Sequence, residues 1–351
     1  MNSNGSNGLA AALRVGAAAA ITTFLVGCGS ARSTIPPVAD SQGISRALAA
    51  PAKPGATITE FSVVPGSGPP FILLGPSNAM WYTQPGKYPT YTANSVGRMT
   101  AGGAMATFPV RPSQSGMVGF AFGPDGAIWI AEYQSGTIGR MLPTGVLTNE
   151  FANPKFAPVF IVNGPDGALW FTDQLKAGNI GRITVHGAVK TYPVAGTPVD
   201  LTVGSDSAIW FTNSNNTIGR MTTSGTVKEY PIPTSSSVPL GIATGPDGNV
   251  WFAESASGKI GRITPAGSIT EFVVPTHDGG PNQIAPGPGQ AMWFTENTAG
   301  KIARITTGGT FTEYTIPTKN SKPLGVTAGT GDTVWFTEYA SDKIGRLTLD
   351  R

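Results

Sequence analysis

Apolar and polar positions alternate along this chain in short runs, and the runs return at a fixed interval. The stretch from Gly241 to Phe272, GIATGPDGNVWFAESASGKIGRITPAGSITEF, shows one full unit. GIAT reads as a first strand (a), and GPDG as a turn with Asp-Gly in its tight position. NVWFAE, rich in aromatic and β-branched residues, reads as strand b. After the polar loop SASG come strand c, KIGRIT, the turn PAG, and strand d, SITEF. A Pro- and Gly-rich crossing, VVPTHDGGP, leads to the next unit. Beyond the N-terminal segment no stretch carries apolar residues at helical spacing, which excludes a helical solenoid.

The unit recurs seven times. All seven tryptophans belong to it: Trp81, Trp129, Trp170, Trp210, Trp251, Trp293 and Trp335, at spacings of 48, 41, 40, 41, 42 and 42 residues. Four short antiparallel strands at a period near forty predict an all-β, seven-bladed β-propeller of four-stranded blades. The segment ATITEF, Ala56 to Phe61, matches strand d but has no strand a, b or c before it. The last unit, Leu324 to Leu349, supplies a, b and c and lacks d. The N-terminal strand is therefore expected to complete the last blade and close the ring, which removes an open edge.

Each Trp is followed by an arginine on strand c: Arg98, Arg140, Arg182, Arg220, Arg262, Arg304 and Arg346. A b–c hairpin that sets Glu254 opposite Lys259 also sets Trp251 opposite Arg262, so the guanidinium can stack on the indole. This ring of arginines is expected to be structural. The first unit is irregular, with a separation of 17 from Trp81 to Arg98 where the last three units have 11. The surplus, including Lys87, Tyr88 and Tyr91, enlarges its b–c loop.

The chain divides into three parts: residues 1–28, a targeting segment; 29–55, a tether; and 56–351, the propeller. Arg14 precedes an apolar run from Val15 to Gly27, too short to span a bilayer well and suited to a signal sequence. It ends in Leu25-Val26-Gly27-Cys28, which resembles the bacterial lipoprotein signal, whose cysteine becomes the lipidated N-terminus. Lipid chains on Cys28 would hold the protein on a membrane without a spanning helix. Cys28 is the one cysteine, so no disulfide forms within the chain. Residues 29–55, rich in Ala, Ser and Pro, read as a flexible linker. The expected location is the bacterial cell envelope, outside the cytoplasm.

Charged residues make up only 12% of the chain, and the formal charge is +3. With no basic cluster beyond the spread arginines, nucleic acid is not an expected partner. A small molecule or a cell-envelope component is, and the closed ring is expected to be a monomer. Gly-rich turns here are hairpin turns, and no zinc spacing, phosphate loop or Ser/His/Asp constellation occurs.

A site would lie on the face carrying the d–a crossings and b–c loops. Strand a enters the central channel there, and the residues at its mouth include Phe71, Phe160, Asp200, Asn282 and Gln283. An apolar mouth with one polar sector suits a small organic ligand, and equally suits residues that only fill the channel. The third residue after each Trp forms a polar ring on the same face, including Glu254, Glu296 and Glu338. An acidic ring could take a metal, but Lys259, Lys301 and Lys343 stand in the cross-strand register, and ion pairs are the expected arrangement. Glu296 and Glu338 stay among the candidate ligand-binding residues. His186 lies in a turn on the opposite face. His277, beside Asp278 in a crossing, reads as a solvated loop histidine, with a general base as the alternative.

The motifs WFTE, KIGRIT and ITEF and the Pro-Thr crossings resemble the virginiamycin B lyase (streptogramin lyase) family over about residues 56 to 349. That resemblance implies a seven-bladed propeller. It also implies opening of the ester ring of type B streptogramins by elimination, with magnesium and a histidine base. The family's enzymes have a tyrosine at the first strand a, where Pro70 stands here. They have a histidine at the sixth entrance, where Pro281 is followed by Asn282. Their Glu-Pro-His-Gly at the seventh entrance is Lys322-Pro323-Leu324-Gly325 in this chain. Glu338 approximates the family's last acidic ligand. A leucine cannot accept a proton and a lysine repels magnesium, so the resemblance carries the fold and not the activity. No cofactor is expected, and magnesium would enter only with lyase activity.

Overall fold

A computed structural model describes residues 49–51, 55–86, 94–110, 115–153, 155–175 and 178–350. Cys28, most of the tether and the enlarged part of the first b–c loop, residues 87–93, lie outside the described residues. The strands form seven antiparallel sheets, each running a-b-c-d outward from the axis. The innermost strands are Ile72–Leu74, Met117–Phe122, Pro158–Asn163, Pro198–Val203, Pro239–Thr244, Pro281–Gly287 and Pro323–Ala328. Each contacts the innermost strand of a neighbouring blade. Blade 5 adds Val250–Glu254, Lys259–Ile263 and Ile269–Val273 to its inner strand.

The ring closes as the sequence requires. Ala56–Ser62 pairs along Lys343–Leu349, with Ile58 opposite Leu347 and Phe61 opposite Ile344. One difference concerns the tether: Ala49–Pro51, expected to be linker, pairs as a fifth strand on Ala56–Ser62. An unpaired outer edge offers a row of backbone donors and acceptors to any extended segment beside it.

Every tryptophan lies in the first half of its strand b, at most 2% exposed. Each stacks on an aromatic of its own strand d, as Trp129 does on Phe151 at 5.5 Å and Trp335 on Phe61 at 5.6 Å. The arginines stand opposite the tryptophans in every b–c pair, including Trp81 and Arg98 despite the long loop between them. Five of the guanidiniums lie over the indole, at 5.3 Å for Arg262 on Trp251. The Gly before most of these arginines has a steric cause. A Cβ on Gly181 would lie 2.0 Å from the Phe171 ring. Blades lock together by the same economy of space: Gly103 of blade 1, at φ +88°, lies under Phe61 of blade 7.

The aspartate of the GPDG-type turn has a role the turn alone does not reveal. Asp166 accepts from Trp170 Nε1 at 2.9 Å and from Arg182 Nε at 2.6 Å. Asp125 and Asp206 bind their Trp–Arg pairs in the same way. These hydrogen bonds hold the three carboxyls below the usual range against the opposing effect of burial. The arginine ring is therefore structural on this face of the disc.

Candidate functional site

The opposite face gathers the start of strand a and the end of strand b. In blade 5, Pro239 stands opposite Glu254 and Glu254 opposite Lys259. The threonine before this glutamate position ties neighbouring blades. Thr295 Oγ1 accepts from Gln283 N at 3.1 Å and donates to Leu324 O of the next blade at 2.8 Å. Thr83, Thr172 and Thr212 make the same donation to Val118, Val199 and Leu240. These ties fix the mouth of the channel within a rigid frame.

Beneath the mouth runs a row of buried acids. Glu132, Glu254, Glu296 and Glu338 are fully buried, and Asp173 nearly so. Burial pushes Glu132 and Glu296 up to about 7 and Glu254 and Glu338 up to about 8. Lysines stand opposite three of them in register, but the expected ion pairs are not the ones formed. Lys259 bonds Glu271 at 3.3 Å, Lys301 bonds Glu313 at 2.7 Å, and Lys343 bonds Glu60 at 3.1 Å. Solvation accounts for the first two: Glu271 and Glu313 are less buried than Glu254 and Glu296, and hydrogen bonds hold their carboxyls below the usual range against burial. Thr234, Thr276 and Thr318 of the crossings join the same clusters. Glu60 belongs to the closing strand, so one cluster doubles as the clasp of the ring.

The residues proposed from the sequence separate into groups. Phe71 and Phe160 meet edge to face at 5.6 Å, and Phe71 meets Phe120 at the same distance. Together they fill one sector of the mouth. Asp200 and Gln283 meet across blade 5: Gln283 Nε2 donates to Asp200 Oδ2 at 3.1 Å. Asp200 also accepts from the Leu201 and Ile242 amides, and burial pushes its carboxyl up to about 7. Gly241 between them has no room for a side chain, since its Cβ would lie 2.7 Å from Gln283. Asn282 is buried beside Pro281, which stands opposite Glu296. His277 does not join this group. Its side chain is 93% exposed and its Nδ1 pairs with Asp278 at 2.7 Å.

The family's metal chemistry can be tested on the donors present. At the seventh entrance Leu324 is wholly buried, and its neighbour Pro323 faces Glu338 in register. Glu338 Oε2 accepts from Ser341 at 3.0 Å. Lys322 occupies the position of an acidic ligand. Among the described residues no three His, Cys, Asp or Glu side chains gather as a metal would require. The donor set does not fit magnesium. Also among the described residues, no helix is long and apolar enough to cross a membrane.

Sequence reasoning missed the turn aspartates, the threonine ties and the serines that flank the buried glutamates. The aspartates were legible in principle, because each stands four residues before its tryptophan.

Seven four-stranded blades, closed by pairing of the chain's ends and carrying a polar sector on the crossing face, define a seven-bladed β-propeller with its candidate site on that face. The sequence profile of the Virginiamycin B lyase family matches residues 44–213 and 176–351, and the chain belongs to that family. A virginiamycin B lyase of Nocardia farcinica is 29% identical over 193 residues, covering 55% of this chain and 64% of the relative. The crystal structure of selenomethionine-substituted virginiamycin B lyase from Staphylococcus aureus superposes with a TM-score of 0.78 at 37% identity, covering 84% of this chain and 99% of that one. A catalytically inactive variant of that enzyme with quinupristin gives 0.78 at 36% identity over the same shares. A streptogramin B lyase gives 0.79 at 35% identity, covering 84% and 98%. Kuenenia stuttgartiensis hydrazine synthase, at 14% identity and a TM-score of 0.67, shares the fold alone.

Proposed function

We propose that this protein is a membrane-anchored, extracytoplasmic propeller that binds a small molecule or cell-envelope component on its crossing face without catalysing a reaction. The observation that carries the non-catalytic part is the seventh entrance. An elimination needs a base at the abstracted proton, and Leu324 offers none and is sealed from solvent. The exposed His277 is paired to Asp278 and stands apart from Asp200 and Gln283. The binding part rests on the polar sector of Asp200, Asn282, Gln283 and Glu296, flanked by Phe71 and Phe160. Few convergent polar groups beside an apolar wall suit a small organic ligand. The anchor rests on Cys28 alone, and Cys28→Ser should move the protein from the membrane to the aqueous fraction.

A ligand that binds only the folded state raises the melting temperature by mass action. Melting against muropeptides, neutral sugars and short peptides should give an upward shift with at least one class, reduced in Asn282→Ala. A panel that leaves the melting temperature unmoved would sink the binding reading. The competing reading is a lyase with a rebuilt, magnesium-dependent site using His277, Glu296 or Glu338. It predicts magnesium-dependent opening of a type B streptogramin.

A further inference from the structure

Blade 6 breaks a pattern that the other glutamate-bearing blades keep. In blades 2, 5 and 7 the glutamate accepts from a serine three residues on: Ser135 at 3.3 Å, Ser257 at 3.0 Å and Ser341 at 3.0 Å. A second serine, Ser115, Ser237 or Ser321, stands fully buried two residues before strand a, though Ser115 and Ser237 donate to Asn94 and Asn216 and Ser321 Oγ has no partner. Blade 6 has Ala299 and Gly279 at these two positions. Glu296 is fully buried, and neither carboxylate oxygen has a hydrogen-bond partner. The Thr276 hydroxyl nearby is committed, donating to Glu313 at 2.8 Å and accepting from Lys301 at 2.6 Å. A Cβ on Gly279 would lie 2.4 Å from Glu296 Oε2. The carboxylate therefore rests directly under the backbone of the crossing at Gly279, which is itself buried. The side chains beside that glycine, His277 and Asp278, are 93% and 80% exposed and pair with each other.

We propose that Glu296 anchors a subsite on blade 6 for a small ligand carrying a primary ammonium group, which supplies the donor that the serine absent from position 299 would have given. This rests on the binding reading above and names the chemistry of its ligand. An ammonium fits better than a neutral hydroxyl because it has three donors for two bare oxygens and cancels the charge. A metal ion fits less well, since no further acidic, His or Cys ligands gather there among the described residues. Lys301 does not serve, being held 2.7 Å from Glu313. Entry requires the Thr276–Gly280 turn to lift, and Asp278 and Gly280 at φ 54° and 63° flank the glycine that covers the carboxylate.

Burial holds the Glu296 carboxyl near neutrality, at about 7. Pairing with an ammonium draws it to the ionised form, so binding near pH 7 should release protons. Glucosamine is the probe and N-acetylglucosamine its neutral control, measured by titration calorimetry in phosphate and in Tris. The full chain should bind glucosamine about tenfold more tightly than the acetylated sugar, as loss of a charge-assisted bond predicts. The measured heat should differ between the buffers. Ala299→Ser restores the internal donor and should weaken glucosamine by about tenfold with melting unchanged. Glu296→Gln should abolish the buffer dependence. Equal binding by Ala299→Ser and the parent, or no preference for the amine, overturns the proposal. If other panel compounds still shift the melting temperature, the subsite falls and the binding reading stands. If nothing binds, both fall.

Discussion

Asp206 shows how much one turn residue can carry. It takes Trp210 Nε1 at 3.0 Å and Arg220 Nε at 2.7 Å. Asp206→Ala would strand both donors and should cost about 2 kcal/mol in denaturant unfolding. The buried glutamates make a second prediction. Their folded pKa values, about 7 to 8, lie above the ordinary 4.5. The folded chain keeps protons that the unfolded chain releases, so the stability they lend is full below the ordinary value. It declines as pH rises through about 8. Melting should fall from about pH 5 to about pH 8, and Glu338→Gln should flatten the profile. A flat profile in the parent chain would contradict the assigned protonation. The Trp–Arg facing was legible in blades 5 to 7 because both residues keep an offset of 11 within one hairpin. The protonation was not, because burial of strand b depends on the neighbouring blade.

At the scale of the strand, pairing registers follow from alternation, and this is why Trp251 opposite Arg262 could be written down from spacing. Partner choice for the strand-c lysines could not. Lys259 has Glu254 directly opposite on b and Glu271 diagonally across on d, so register alone favours the partner it does not take. Desolvation decides, and it favours the less buried carboxylate on d. The threonine ties belong to this scale too. Thr295→Val keeps the shape of the side chain but leaves Gln283 N and Leu324 O without their partner. Unfolding free energy should drop by about 2 kcal/mol, and an unchanged value would show that the ties do not hold blades 6 and 7 together.

The whole molecule was the most legible level. A count of tryptophans gives the number of blades, and the missing final strand gives the closure. What escaped is the role of the closing strand at the crossing face. Glu60 brings Lys343 and Thr318 together there, so the seam of the ring and the edge of the candidate site share one cluster. The proposed departure from the family's chemistry lies at the seventh entrance, with its Leu324 and Lys322. Incubating the full chain with a type B streptogramin and magnesium, then separating cyclic from linear antibiotic by chromatography, tests that departure directly. The antibiotic should stay cyclic with or without EDTA. Linear product that appears with magnesium and vanishes with EDTA would contradict the account.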